Sequence, residues 1–461
     1  MLPLALTAAI VVGDHVALRA TSERTAAQQA VLWKGDWLEV RGGKKGWLKV
    51  WDHRHERGGW VQAKQVKALE LAESAAPGVR AVVDFLRDTP GQESLGIAYA
   101  AIYLKVAPKG AIDAPLMISI GAMADRLARR ASAANADAAT AEQLEVARSW
   151  GIVLTSVEQP DGAHICYDGA AFHGGLALGP APADTATAVL ALTEPGCEPQ
   201  GLGATAKAAR EEGRLALLER VDPVRVGGPV GNQLRIRRAE IAAQLAWATA
   251  RRGDLAGAAK QADTAFGMLA RVDKEELADD DVPAYDAAAI GVATARWATL
   301  PAVPITGLEM RLAPGDDGDT CVTLVEKTAR SVERCTHGQI WPSSVRASAS
   351  KTAAVIAVSP LPGWLELWAY RKVDDGWILD VLAPNTEGPD RGYVELAGFS
   401  ADGEHALIVR ESRTAGAVRR SFESVAFPTL TVERKASNLG ALGAAQKWAS
   451  PDWRKRTLVL R

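Results

Sequence analysis

The sequence predicts a multidomain α+β protein with a small N-terminal antiparallel β-barrel, a helical middle part and a C-terminal antiparallel β domain. Three observations support this prediction. The chain has 461 residues, more than one ordinary domain holds. Apolar residues alternate with period two near both ends, and an alanine-rich middle part has the apolar spacing of helices. The predicted boundaries are residues 11–67, 75–300 and 307–461.

The composition excludes two classes of protein. Apolar residues make up 48% and charged residues 23% of the chain, which excludes a fully disordered chain and a multispan membrane protein. The net charge is -2. Residues 1–67 hold 11 Lys and Arg against 6 Asp and Glu, an excess too small to indicate nucleic-acid binding.

An apolar run over residues 1–12 has the length of the hydrophobic part of a secretory signal. It holds no Lys or Arg, and no clear cleavage site follows it. Two interpretations remain open: a leader remnant over residues 1–10, or the first strand of the following domain. We expect export. No other apolar stretch approaches the 18 residues that crossing a membrane requires, so we predict no membrane span.

Residues 11–67 contain five or six short strands separated by glycine turns, a pattern typical of a small antiparallel barrel. Five tryptophans, at positions 33, 37, 47, 51 and 60, exceed what so small a core can bury. We expect Trp47 and Trp60 to be core residues. We expect Trp33, Trp37 and Trp51 on a surface, where flat rings stack on sugars or peptides.

Four motifs in this region follow a known order: V-A-L-R at 16–19, K-G before a valine at 34–40, G-W-L-K-V at 46–50 and G-W-V at 59–61. Together they resemble a bacterial SH3-type (SH3b) domain, although Ala17 stands where that family usually has Asn. The resemblance implies an exported binding module for cell-wall peptides or glycans. His53 and His55 have no Cys or acidic partner at ligand spacing, so we expect a solvated loop and no metal site.

The middle part, residues 75–300, has helical periodicity apart from a β-hairpin near 152–167. Reactive residue types cluster at this hairpin: His164, Cys166, Asp168 and His173. Such residues can form a Cys/His nucleophile or a metal site. No known local signature is present, so a disulfide or an inert structural role is the favoured interpretation.

The glycine and alanine spacing at residues 253–266 resembles one tetratricopeptide helix pair. That resemblance implies a surface for peptides or partner proteins. No second copy follows at a period of 34 residues, and a simple spacer remains an equal alternative.

The C-terminal part contains an internal repeat. Residues 348–357 match residues 400–409, and a fainter third copy lies at 450–459. A period near 50 residues with four strands per unit is typical of propellers, and the F-S-x-D-G pattern at 399–403 resembles a TolB-type propeller blade. Three units are too few to close a propeller, so we expect an open or partial sheet.

The four cysteines fall into two local pairs. Cys321 and Cys335 end two short strands about a turn at 327–329, which places them opposite each other at disulfide distance. Cys166 and Cys197 form the second pair. We expect disulfides, which form in oxidising compartments such as the periplasm; buried free thiols are the alternative.

No standard catalytic motif occurs in the sequence: G-x-S-x-G, H-E-x-x-H and the Walker loop are all absent. The favoured interpretation is an exported, non-catalytic binding or adaptor protein of the bacterial envelope, without cofactor or metal. Its barrel would bind a cell-wall peptide, a glycan or a protein partner. The alternative is a cell-wall-remodelling hydrolase with a site near His164, Asp168 and His173.

Overall fold

The computed structural model describes residues 7–159, 162–199, 201–303, 305–326, 329–374, 376–385, 391–414 and 417–459. The chain forms two compact units. The first comprises Met1–Leu202 with Leu217–Val226, and the second comprises Gly203–Ala216 with Gly227–Arg461. An N-terminal antiparallel sheet, a helical middle part and a C-terminal, mostly antiparallel sheet confirm the predicted mixed α+β architecture.

The N-terminal sheet has seven strands in the order β3-β2-β6-β5-β4-β1-β7, with β3 and β7 at its edges. Its strands are β1 (Thr7–Val11), β2 (Val16–Arg19), β3 (Gln28–Leu32), β4 (Trp37–Lys44), β5 (Trp47–Asp52), β6 (Arg57–Gln62) and β7 (Val66–Glu70). Apolar side chains on one face, such as Leu18, Leu38 and Val50, form its core. Alternating apolar and polar residues produce such a half-buried sheet.

The apolar N-terminal run contributes a strand to this sheet. Residues 7–11 form β1, which pairs with both β4 and β7 in antiparallel register. Ala8, Ala9 and Ile10 are completely buried. Of the two interpretations of the run, the first strand of the domain is therefore the one found for residues 7–11, while residues 1–6 lie outside the described part of the chain.

The α-helices lie mainly in the middle of the chain. Their bounds are α1 (Ala76–Arg87), α2 (Glu93–Val106), α3 (Ala114–Ser132), α4 (Ala138–Ser149), α5 (Ala170–Ala177), α6 (Pro182–Leu192), α7 (Ala204–Leu218), α8 (Pro223–Val226), α9 (Gly228–Arg251), α10 (Leu255–Leu269), α11 (Val282–Ala295) and α12 (Pro451–Arg456). Among the described residues, no helix combines the length and the apolar character that crossing a bilayer requires.

The predicted hairpin in the middle part is confirmed as β8 (Leu154–Gln159) paired with β9 (Gly162–Tyr167); Pro160 and Asp161 of its predicted turn lie outside the described residues. The hairpin packs on the helices rather than standing away from them. Ile165 and Tyr167 contact the core that α1 to α4 share, and the Ile165 N–H donates to Oγ of Ser132 on α3 at 2.8 Å.

One buried carboxylate joins α2 to α3. Glu93 is completely buried, and Nε of Arg126 donates to its Oε1 at 2.6 Å while Arg130 contacts Oε2. Burial alone would raise the pKa of Glu93, but the hydrogen bond from Arg126, backbone N–H groups and the Arg130 charge outweigh it and lower the pKa. The carboxylate is therefore ionised at neutral pH.

The α9–α10 hairpin of the second unit matches the helices predicted on either side of residues 253–254. Gly253 at the turn has a φ of 86°, which glycine adopts without strain. The Asp254 side chain then caps α10 by accepting the Gly257 N–H at 2.8 Å. The buried alanines 258, 262 and 265 let the two helices approach closely.

The C-terminal sheet has eleven strands. They are β10 (Glu309–Pro314), β11 (Thr320–Glu326), β12 (Ala329–Thr336), β13 (Gln339–Ala347), β14 (Ala353–Leu361), β15 (Trp364–Val373), β16 (Gly376–Leu382), β17 (Arg391–Phe399), β18 (His405–Thr414), β19 (Ala417–Ala426) and β20 (Thr431–Ala436). The order is β10-β11-β12-β16-β15-β17-β18-β19-β20, and β13 and β14 branch from β15. One face shares a core with α9, α10 and α11.

Two copies of the predicted C-terminal repeat have the same local structure. Each begins with a serine, Ser348 or Ser400, whose hydroxyl accepts the N–H five residues further along at 3.2 and 2.9 Å respectively. Each turn then contains a residue with positive φ, Lys351 at 60° and Gly403 at 79°. The strand after each turn, β14 or β18, is mostly buried.

The third copy, residues 450–459, does not repeat the turn and strand of the other two, so this part of the predicted repeat is wrong. Residues 451–456 form α12 instead. The Ser450 side chain accepts the N–H of Trp453 at 3.2 Å, and Pro451 occupies the first helical turn. Both features favour a helix start.

Replacing Glu93 with glutamine tests the buried charge. We expect Glu93→Gln to lower the free energy of unfolding of the first unit by about 3 kcal/mol, because two arginines lose their buried partner. Glu145→Gln is the control, since Glu145 pairs with Arg148 on an exposed helix face and should cost less than about 0.5 kcal/mol. Urea unfolding measures both; equal losses would contradict the structural role of Glu93.

The Glu93 carboxylate makes the stability of the first unit depend on pH, and its lowered pKa gives the sign of that dependence. Its pKa is lowered in the folded protein, so its stabilising effect is complete above the unfolded pKa of about 4.3 and is lost as pH falls through the folded value. Urea unfolding at pH 6 and at pH 3 should show a larger loss of stability for the wild type than for Glu93→Gln. A loss of the same size in both proteins would contradict this assignment.

Candidate functional site

Four partly exposed tryptophans lie on the outer face of the N-terminal sheet: Trp37, Trp47, Trp51 and Trp60. Strand register places them together. Lys49 pairs directly with Trp60. Trp47 and Trp51, two residues to either side of Lys49, are therefore the diagonal neighbours of Trp60, each about 7 to 8 Å from it across the strands. Trp51 pairs with Glu39, so Trp37, two residues before Glu39, is a diagonal neighbour of Trp51. We call this row of four residues the tryptophan strip.

The expectation that Trp33 lies on the surface is wrong, because Trp33 is only 7% exposed. The loop that follows it is docked onto the helices of the first unit. Oγ of Ser94 donates to the carbonyl of Lys34 at 2.7 Å, and Nε1 of Trp150 donates to the carbonyl of Gly35 at 3.0 Å. A side chain at Gly35 would collide with the backbone of Ser94.

The expectation that Trp47 and Trp60 are core residues is also wrong, since both are partly exposed. The signal that could have placed them was available. Along β5, Leu48 and Val50 are the inward residues, and side chains of a strand alternate between faces. Trp47 must therefore share the outward face with Trp51.

Histidine, lysine and arginine side chains already contact two rings of the strip. The His53 ring stacks on Trp37 with centres 4.8 Å apart, and Nζ of Lys105 lies 5.5 Å from the same ring. The Arg41 guanidinium lies 4.7 Å from the centre of Trp51. These distances are those of cation–π and stacking contacts, so the strip attracts planar and cationic groups of its own chain.

The strip is bordered by more basic than acidic groups. The residues paired with or stacked on its rings include five basic side chains and one acidic one: Arg19, Arg41, Lys44, Lys49, Lys105 and Glu39. Nε of Arg41 lies 3.0 Å from the Glu39 carboxylate. This hydrogen bond lowers the pKa of Glu39, so that carboxylate is ionised and is balanced by Arg41. The remaining charge around the strip is positive.

The two histidines of the loop after β5 have carboxylate neighbours that the sequence spacing did not indicate. Nε2 of His53 lies 3.1 Å from Glu39, and His55 contacts the completely buried Asp52. Within the described residues, the one group of three possible metal ligands is Asp319, Cys321 and Cys335. Both sulfurs of that group are bonded to each other, so they offer no thiolate.

The hairpin cluster contains a disulfide instead of a free thiol. Cys166 is 4% exposed and bonded to Cys197, which removes its thiolate. Asp168 begins α5 by accepting the Ala170 N–H at 3.0 Å. His164 lies against Gly196, and His173 is exposed on α5. The disulfide therefore leaves this cluster without the thiolate that a cysteine nucleophile requires.

Both predicted disulfides are confirmed. Cys321 on β11 and Cys335 on β12 are directly opposite each other in antiparallel register, as the predicted hairpin required; Lys327 and Thr328 of its turn lie outside the described residues. The bond between Cys166 and Cys197 closes a loop of 31 residues and ties β9 to the segment after α6.

The number of disulfides and their contribution to the free energy of unfolding can both be measured in solution. We expect no reactive thiol in the denatured oxidised protein and four after reduction, as titrated with a chromogenic disulfide reagent. Replacing both members of a pair with serine should cost about 3.5 kcal/mol for Cys166 and Cys197 and about 3 kcal/mol for Cys321 and Cys335, because the bond between Cys166 and Cys197 closes the longer loop. A free thiol before reduction would contradict the pairing.

Compared with models of protein families, with curated proteins and with solved structures, the chain matches none of them. The resemblances of residues 11–67, 253–266 and 399–403 to known modules therefore stay predictions from their own motifs. No relative supplies a ligand, a partner or a reaction for the tryptophan strip.

Proposed function

We propose that this chain is an exported, non-catalytic binding or adaptor protein whose N-terminal sheet binds bacterial cell-wall material through the tryptophan strip. The observation that carries the proposal is the presence of four partly exposed tryptophans on one face of one sheet. Indole rings offer a large contact area at low conformational cost, which suits binding to sugar rings and peptides.

The charge around the strip supports cell-wall material as the ligand. Peptidoglycan joins sugar rings, which stack on indoles, to short peptides that carry carboxylates. Lys49 pairs directly with Trp60 across the strands and lies between Trp47 and Trp51 on its own strand. A carboxylate next to a stacked sugar would thus meet a cation near the middle of the strip.

Export is supported by the two disulfides, which persist in oxidising compartments and are rare in the cytosol. The resemblance of residues 11–67 to an SH3b domain supports the same location and ligand class. We extend the proposal to partner binding by the α9–α10 hairpin, for its likeness to a tetratricopeptide pair, and by the C-terminal blade-like repeat.

The hydrolase alternative has less support. It needs an activated nucleophile or a metal near His164, Asp168 and His173. The Cys166 sulfur is bonded to Cys197, and the Asp168 carboxylate accepts a backbone N–H at the start of α5. These contacts suit a structural role.

Removing one ring of the strip tests the proposal. We expect Trp51→Ala and Trp60→Ala in the full chain to weaken binding to soluble peptidoglycan fragments about fivefold each, since a lost stacking contact is worth about 1 kcal/mol. Tryptophan fluorescence titration gives the dissociation constants, and retention on insoluble peptidoglycan gives an independent measure.

Phe85→Ala is the matched control. Phe85 is an aromatic residue of α1 that is 72% exposed, and it does not belong to the strip. Its loss should leave the dissociation constant unchanged. If the wild type does not bind these fragments, or if the Phe85 variant weakens binding as much as the two tryptophan variants, the proposal is wrong.

A further inference from the structure

The second unit contains a cavity of about 340 Å³ beneath the start of α12. Its walls come from the segment after α11, from the ends of β13 and β17, and from α12. The apolar part is formed by residues such as Leu300, Phe399 and Trp453, and the polar part includes two arginines, Arg296 and Arg346. Pockets of this size with a few polar groups are typical of small-molecule sites.

Arg296 is held at the cavity wall by a buried ion pair. It is 4% exposed and contacts the completely buried carboxylate of Glu395. The other oxygen of Glu395 accepts hydrogen bonds from Nε1 of Trp453 at 2.7 Å and from Oγ1 of Thr457 at 2.8 Å. Both oxygens of Glu395 are thus engaged, and its carboxylate fixes the position of the arginine.

Two buried N–H groups at this wall remain unpaired. Nε of Arg296 and Nε1 of Trp297 have no acceptor among the described residues of the chain. Both residues are about 4% exposed and line the cavity. A buried donor without an acceptor is costly. Two such donors on adjacent residues favour a ligand that supplies acceptor oxygens.

Positive charge accumulates around the same wall. Arg346 gives its Nη1 hydrogens to the carbonyls of Ser343 and Val345 at 2.8 and 2.7 Å, and Arg456 donates to the carbonyl of Thr299 at 3.1 Å. In the described part of the chain, no carboxylate oxygen lies within 4.0 Å of a guanidinium nitrogen of Arg346 or Arg456, the limit for an ion pair.

Burial disfavours the charged form of both Arg296 and Arg346. Burial lowers the pKa of Arg296 to about 10; the interaction with Tyr393 opposes this shift, and repulsion from Arg456 adds to it. Burial also lowers the pKa of Arg346, where the charge of Asp452 opposes the shift and that of Arg456 adds to it. Asp452 is exposed at the cavity rim. An anion bound at this wall would relieve the repulsion.

We propose that this cavity binds a small organic carboxylate. Its carboxylate oxygens accept the free N–H groups of Arg296 and Trp297 and lie in the field of Arg346, while its apolar body fills the space against Leu300, Phe399 and Trp453. The site lies in the second unit and does not depend on the ligand of the tryptophan strip.

The test uses 3-phenylpropionate and its neutral analogue 3-phenylpropanamide as probes of the full chain. Their phenyl ring suits the aromatic wall, and they differ in the charge that the arginines would recognise. We expect calorimetric titration to show the carboxylate binding about tenfold more tightly than the amide.

Arg346→Gln should weaken binding of the carboxylate about fivefold or more and leave binding of the amide unchanged. Arg434→Gln is the matched control, because Arg434 also donates to backbone carbonyls but does not line the cavity. Ala347→Leu, which enlarges a side chain at the cavity wall, should weaken binding of both probes. Circular dichroism and urea unfolding establish that each variant is folded.

Three results would overturn the proposal. One is no binding of the carboxylate at millimolar concentration, which would leave water as the acceptor for the two buried donors. Another is equal affinity for carboxylate and amide. The third is an equal loss of carboxylate binding in the Arg346 and Arg434 variants, which would place the probe elsewhere on the protein.

Discussion

Leu48 and Val50 pack into the core of the N-terminal sheet, and the alternation of side chains along a strand therefore turns Trp47, Lys49 and Trp51 outward. The candidate site depends on this constraint. A strand that packs Leu48 and Val50 into this core must place the residues between them on the opposite face of the sheet. Cross-strand register then adds Trp60 and Trp37 and makes one row of rings from residues on three strands.

The architecture was predictable because it follows from short-range patterns. Period-two segments became strands, the alanine-rich middle part became helices, and Gly253 with Asp254 separated two helices as their capping chemistry requires. The cysteine pair at 321 and 335 was predictable for the same reason, since a hairpin fixes which residues face each other. The sequence also held an unused signal, because Ser450 followed by Pro451 is a helix start.

Long-range docking was not predictable. Trp33 is buried because Ser94 and Trp150, each more than 55 positions away in the chain, bond the backbone of the loop beside it. The cavity of the second unit has the same character: Arg296, Arg346 and Trp453 come from separate elements, and no spacing in the sequence relates them. The unpaired donors Nε of Arg296 and Nε1 of Trp297 could not be predicted for the same reason, since burial and the lack of an acceptor among the described residues are properties of the folded chain.

The paired turns of the C-terminal sheet differ in how much sequence change they tolerate. Lys351 adopts a positive φ at moderate cost, as a surface residue of a tight turn can. A side chain at Gly403 would meet both the backbone strain of its φ of 79° and the atoms of Ser348 and Ser350 in the neighbouring turn. Substitutions are therefore tolerated better at Lys351 than at Gly403, so the two copies of the repeat would diverge at unequal rates at this position.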